Sequence, residues 1–215
     1  MIDLSDVSYG KVERIVTDAH FYPGGTAFPT NMETLTATNG VISSLGANSQ
    51  HYASLQVNTT GTTQLIGMRT NFDINIANYQ MVRMDVYGFH FTTATMNPGL
   101  TISSTTKSNG VSVWSPSATP TQLTMRFFGD TGDVNVSQYT WASPEHTRRR
   151  NIGLMILPPT KEVFLLADDQ VIYQTTRPGM VLGLSRFWLE SNKPTNTASV
   201  DAIRLAKFKV TVQHN

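Results

Sequence analysis

The chain of 215 residues contains no cysteine. A disulfide framework, a thiolate metal site and a cysteine nucleophile are therefore excluded, and stability must come from packing. Charge is also scarce: only 14% of residues are Asp, Glu, Lys or Arg, with a net formal charge of +1. The surface has to be made largely of Thr, Ser, Asn, Gln and Gly, which recognise neutral partners through hydrogen bonds. Positive charge is not concentrated either. From Arg148 onward ten Lys/Arg face five Asp/Glu, while residues 1–147 hold six against ten. Nucleic-acid binders gather far more basic charge on one face, so no nucleic-acid partner is expected. No apolar run approaches the length of a membrane span, and no membrane partner is expected. The opening MIDLSDVSYGKVERIV lacks the apolar core of a secretion signal, so the chain is expected to be made in a cytoplasm.

What is present is apolar alternation with period two. An apolar fraction of 40% suffices for a sizeable core. The length suits a single β-sandwich domain over 1–215, with residues 1–11 a candidate N-terminal arm. In residues 65–76 the series Ile66, Met68, Thr70, Phe72, Ile74, Ile76 alternates with more polar positions, as in a strand with one buried face. Val82, Met84 and Val86 repeat the pattern. Further strands are expected around Val12 to Val16, Tyr52 to Val57, Leu123 to Phe128 and Val134 to Tyr139, and then from Val181 to Leu189 and towards the end through Phe208, Val210 and Val212. The stretch RRRNIGLMILPPTKEVFLLADDQVIYQTT reads as three strands. Pro158-Pro159 ends the first because proline cannot donate to a ladder, and Asp168-Asp169 makes a tight reversal before the third. Asn151 to Leu157 is apolar on both faces, which predicts a central strand. Residues 23–50 and 92–120, rich in Thr, Ser, Asn, Gly and Pro, are expected to be long loops.

The last third of the chain resembles the end of a concanavalin A-like (laminin-G-like) jelly roll. The matching pieces are Asn151-Ile152-Gly153-Leu154, Pro158-Pro159, Val163 through Asp169, Val171-Ile172-Tyr173 and Val200-Asp201-Ala202-Ile203-Arg204-Leu205. The hairpin in that superfamily usually carries Asp-Gly where this chain has Asp169-Gln170. The resemblance implies an all-β, antiparallel two-sheet β-sandwich (jelly roll, concanavalin A-like), with glycans held on a concave face or by rim loops. Domains of this type include lectins, carbohydrate-binding modules, glucanases and adhesive modules of bacteriophage tails and fibres.

The chemistry legible in the residues is that of binding. Glycosidases need two carboxyl groups flanking the scissile bond, and glucanases of this superfamily carry them in a Glu-x-Asp-x-Glu pattern on one strand. Glu13, Glu33, Glu145, Glu162 and Glu190 all lack an acidic residue two positions away. No catalytic residue is assigned, and a non-enzyme is expected. Asp130, Asp133 and Asn135 could surround calcium, but Asp and Gly between two strands are ordinary hairpin residues, so no cofactor and no metal ligand is assigned. His20, His51, His90, His146 and His214 fall in no two-histidine zinc spacing.

Flat aromatic rings bury the apolar face of a pyranose at little entropic cost. Trp114, Tyr139 and Trp141, near strand ends beside Ser, Thr and Pro, are the candidate carbohydrate-binding residues. Trp188, inside an apolar strand, is expected in the core. Arg148, Arg149 and Arg150 form the densest charge of the chain and are candidates for an acidic partner or a neighbouring subunit. The expectation is a carbohydrate-binding adhesion module of a bacteriophage virion, in tail or fibre. Its partners would be a host-surface glycan and other virion subunits, with a homo-oligomer possible. The alternatives are a structural virion protein (head decoration or tail scaffold) and a glycan hydrolase.

Overall fold

The structure is a computed structural model that describes residues 13–20, 29–36, 53–57, 64–89, 97–116, 121–129, 134–140, 150–193 and 201–214. The candidate arm at 1–11 lies outside them. Along the chain come β1 (Glu13–His20), β2 (Met32–Thr36), β3 (Ala53–Val57), β4 (Gln64–Thr70) and the short β5 (Ile74–Asn75). A turn of 3-10 helix (Ile76–Asn78) then leads to β6 (Met81–Phe89), β7 (Asn97–Ser103), β8 (Gly110–Trp114), β9 (Gln122–Phe128) and β10 (Val134–Thr140). The rest is β11 (Arg150–Leu157), β12 (Glu162–Ala167), β13 (Gln170–Thr176), β14 (Leu184–Lys193), β15 (Asp201–Leu205) and β16 (Lys207–Gln213).

Two antiparallel sheets carry the fold. One runs β1-β16-β6-β11-β12-β13; the other runs β10-β9-β8-β7-β14-β4-β2, with β5 paired to the start of β14. β3 and β15 make a separate two-stranded ladder. Period two decides which side chains meet between the layers. From the first sheet Val82, Met84, Val86, Leu154, Ile156 and Val210 are fully buried; from the second Met68, Ile102, Val111, Met125, Phe187 and Leu189 are equally buried, and all belong to one core cluster. Among the described residues no helix is long and apolar enough to cross a membrane.

The three strands expected after the arginines are present as β11, β12 and β13. β11 is interior, between β6 and β12, as two apolar faces require: Ile152, Leu154 and Ile156 are buried, and Met155 and Leu157 are half-buried on the other side. Pro158 and Pro159 stand in the turn that follows. At the next reversal Asp168 and Asp169 both have positive φ, +49° and +62°, between the paired residues Ala167 and Gln170. This is the left-handed pair that a two-residue hairpin demands. Aspartate serves in place of glycine because each carboxylate has work to do. Asp168 accepts from Arg150 Nη1 (2.9 Å) and from the Asn151 N–H (3.0 Å), and Asp169 accepts from Arg83.

Two expectations need correction. The stripe at 65–76 is not one strand: it breaks at Asn71–Asp73, where the Asn71 N–H donates to the Asn31 carbonyl, and resumes as β5. Met68, Thr70 and Ile76 are still fully buried. The supposed loops at 23–50 and 92–120 contain β2, β7 and β8, the last two being interior strands of the second sheet. Leu100, Ile102, Val111 and Val113 supply their core faces, while the opposite faces carry mostly small and hydroxylated residues, with Asn97 at the start of β7 and Trp114 at the end of β8.

Candidate functional site

The strands of the second sheet turn one face away from the core, and the register fixes which residues lie side by side there. One row crosses β4, β14, β7, β8 and β9 as Gly67, Glu190, Gly99, Trp114, Thr124. The adjacent row is Arg69, Trp188, Thr101, Ser112, Arg126. With neighbouring strands about 4.8 Å apart, Glu190 and Trp114 rise about 10 Å from each other with Gly99 between them.

Gly99 is required by this arrangement. A Cβ there would come within 2.5 Å of the Val113 carbonyl and 2.8 Å of Trp114 Cβ. Its bare backbone is the floor of a cavity of about 300 Å³ whose walls include Trp114, Ser112, Arg126, Phe128, Lys107 and Glu190. Trp114 is half-buried and lines the cavity. Arg126 Cζ lies 5.2 Å from the Phe128 ring centroid, a cation held over an aromatic face.

Glu190 is the carboxylate of this site, and it is heavily engaged. Lys107 Nζ donates to both of its oxygens, at 2.8 and 2.7 Å, and Thr101 Oγ1 donates to Oε1 at 2.8 Å. Thr101 Oγ1 also lies 2.8 Å from Ser112 Oγ, so a continuous polar chain runs from the ammonium to the cavity wall. Lys107 reaches this place from the β7–β8 connection, where its φ is +53° and its N–H donates to the Ser104 carbonyl. Asn109 Oδ1 and Ser104 Oγ accept from the N–H groups of Ser104 and Ser108, which fixes the loop.

Trp188 is buried as expected, at 3% exposure, but not in the core. It stands on the outer face, where Arg69 Cζ covers its ring at 4.6 Å from the centroid and Lys107 Nζ at 5.3 Å. Its indole N–H donates to the Ser103 carbonyl at 3.4 Å. Beyond it, Arg69 and Arg186 both donate to Glu33, and Arg186 Nε also donates to Asp73. Ion pairs therefore occupy the Trp188 and Arg186 rows on the β14-β4-β2 side of this face, the row of Glu190 continues there into Gly67 and Leu35, and the β7-β8-β9 side holds the cavity.

Of the sequence candidates, Trp114 is brought into this cavity. Tyr139 belongs to β10 at the sheet edge, its backbone paired with Leu123 after a register shift; its side chain, like all of Trp141, lies outside the described residues. Arg150 begins β11 and has an internal partner in Asp168, while Arg148 and Arg149 are outside the described residues. So are Asp130 and Asp133, together with the side chain of Asn135. Among the described residues no group of three His, Asp or Glu side chains is placed to hold a metal. Sequence reasoning missed Glu190, Lys107, Ser112 and Arg126. A signal existed in Arg186, Trp188 and Glu190, which alternate with the buried Phe187 and Leu189 and so share the outer face.

A second cavity, of about 180 Å³, lies on the outer face of the six-stranded sheet beside Arg83, Asp85 and Asp169. Its charges answer one another: Arg83 bonds to Asp85 (2.8 Å) and to Asp169. Burial pushes the Asp85 carboxyl above its ordinary value, with Arg83 acting against that shift.

No protein-family model and no curated protein sequence matches the chain. Solved structures do resemble it along its length. The carbohydrate recognition domain of Emp47p aligns with a TM-score of 0.59 at 10% identity, over 92% of this chain and 95% of that one. An endo-1,3-β-glucanase from Streptomyces sioyaensis gives 0.61 at 10% identity, over 94% and 97%. A β-1,3-1,4-glucanase (lichenase) derived from a mouse hindgut metagenome gives 0.58 at 8%, over 92% and 98%. At such identities the likeness is one of architecture, and the architecture is the concanavalin A-like two-sheet jelly roll.

Proposed function

We propose that the protein is a non-catalytic carbohydrate-binding module that holds saccharide in the groove between Trp114 and Glu190. The observation that carries this proposal is that half-buried Trp114 lines the cavity beside the bare floor of Gly99, together with Ser112, Lys107 and Glu190, which bring a hydroxyl, an ammonium and a carboxylate. An aromatic platform offers the apolar side of a sugar ring a surface to bury, and pre-ordered polar groups meet its hydroxyls at fixed angles. The similar solved structures include a carbohydrate recognition domain and β-glucanases, so saccharide chemistry is at home on this architecture. The setting proposed is a bacteriophage virion, in tail or fibre, with a host-surface saccharide as ligand; the cysteine-free, hydroxyl-rich composition suits such a particle. Several copies on one particle would multiply weak contacts through effective concentration.

Hydrolysis is the second reading, favoured by the presence of Glu190 in the groove. It requires a partner carboxyl at about 5–5.5 Å for retention or about 6.5–9.5 Å for inversion. Among the described residues lining the groove Glu190 is the one carboxylate, and Lys107 and Thr101 occupy its oxygens. Calorimetric titration with β-glucan oligomers and with oligosaccharides from bacterial surface polysaccharide tests binding, and reducing-sugar release from the same material tests hydrolysis. Heat of binding without release of sugar is the expected result. Release that disappears in Glu190→Gln would establish the enzyme instead.

A further inference from the structure

We infer that the groove is closed at its β14 side and reads the end of a saccharide chain rather than an internal stretch; this rests on the carbohydrate reading above. The outer face of the second sheet could in principle accommodate an extended polymer across all its strands. Here the β14-β4-β2 half is taken up in the rows of Trp188 and Arg186, while in the row of Glu190, which continues into Gly67 and Leu35, the groove is bounded by the Glu190–Lys107 pair itself. Trp188, the second tryptophan of the face, would be a natural stacking platform in line with the groove, but Arg69 and Lys107 cover its ring and leave it 3% exposed. Glu33, Arg186 and Asp73 extend that barrier, each held by ion pairs to its neighbours.

Lys107 is the keystone of the wall. It projects from a loop fixed by backbone and side-chain hydrogen bonds, lies against Trp188 and clamps both oxygens of Glu190. A cavity of about 300 Å³ remains. That is the lower end of the range of ligand pockets, about 300–1,000 Å³, and suits roughly one or two sugar rings. A chain entering over Trp114 therefore meets Glu190 and Lys107 end-on, and its terminal residue makes the polar contacts. Specificity then lies in the hydroxyl pattern of that residue.

The test is a homologous series, from disaccharide to hexasaccharide, of the linkage that binds under the preceding experiment, with a hexasaccharide blocked at its terminal residue by a bulky substituent. With the wall closed, affinity stays within about twofold from disaccharide to hexasaccharide, since added rings make few contacts. The blocked hexasaccharide loses binding, and Lys107→Ala restores it in part. Affinity that climbs roughly tenfold or more along the series, with the blocked chain binding equally well, would overturn the inference while leaving the carbohydrate reading intact. Absence of binding to every saccharide would bring down the carbohydrate reading itself. Acrylamide quenching of tryptophan emission tests the wall in either case. Trp188→Phe should remove a protected component of the emission, and loss of a freely quenched component would show that the wall is open.

Discussion

Lys107 and Glu190 meet through a two-point ion pair, with the ammonium 2.8 and 2.7 Å from the two carboxylate oxygens. The pair joins the β7–β8 connection to β14 and sets the boundary between an ion-paired half-face and an open groove. Its members differ in exposure: the Lys107 side chain is about a third exposed and that of Glu190 only 11%. Removing the lysine leaves a nearly buried carboxylate with Thr101 as its remaining bonded partner, so Lys107→Ala is expected to cost about 1–3 kcal/mol. Glu190→Gln, which leaves a solvated lysine and keeps the shape, should cost less. Thermal unfolding of the two variants checks the order, and equal losses would contradict it.

Trp114 and Trp188 occupy neighbouring rows of one face yet should behave in opposite ways. Trp114→Ala is expected to weaken saccharide binding by at least tenfold, about 1.4 kcal/mol, with a small change in Tm. Trp188→Ala removes a buried ring packed under two cations, and is expected to destabilise by about 3 kcal/mol. Calorimetry for the first and denaturant titration for the second separate the roles.

The hairpin between β12 and β13 gives a third contrast. Both aspartates have positive φ, where glycine is unstrained, so each Asp→Gly change gains backbone ease and loses a carboxylate. Asp168 bonds to the Asn151 N–H as well as to Arg150, whereas Asp169 makes an exposed pair with Arg83. Exposed pairs contribute about 0–1 kcal/mol. Asp169→Gly is therefore expected to be nearly neutral and Asp168→Gly to destabilise, as measured by the urea midpoint.

The dependence of stability on pH should divide between two carboxyls. Burial raises Asp85 above its ordinary 3.8 despite Arg83, so the native state holds that proton more tightly than the unfolded chain. The resulting stability is present below 3.8 and is lost as pH rises through the higher native value. Burial acts upward on Asp18 too, but hydrogen bonding and attraction from Lys207, joined by His20, bring it below 3.8. Its contribution is present above 3.8 and is lost as pH falls through the lower native value. Asp85→Asn should flatten the fall in stability on the alkaline side of 3.8, and Asp18→Asn should remove part of the loss on the acid side. Chemical denaturation across this range would show an unchanged profile if the assignment is mistaken.

The strands most legible in the sequence are those whose apolar face alternates with long polar or second apolar side chains, β6, β11, β12 and β16 among them. The strands it concealed are β2, β7 and β8, and the outer positions of the last two include Gly99, Thr101, Ser103, Gly110 and Ser112 beside Trp114. Small and hydroxylated residues suggest a loop by composition, yet here they form the floor of the groove. The physical requirement of the site, a surface without bulk, disguised the element that carries it. Trp188 was misassigned for a related reason. Burial beneath Arg69 and Lys107 depends on residues far away in sequence, and a one-dimensional apolar run cannot distinguish it from burial in the core. The hairpin at Asp168-Asp169 was legible as a turn, although the arginines that make aspartate suitable there appear only with the sheet assembled.

An NMR titration of the ¹⁵N-labelled protein with the disaccharide that gives heat on mixing is the most direct test of the groove. The account predicts shifts in the Trp114 indole N–H and in the Gly99 and Ser112 amides, with Gly153 and Lys209 on the opposite sheet unmoved. Saturable binding with Trp114 and Gly99 unaffected, or with the changes centred on Gly153 and Lys209, would contradict it.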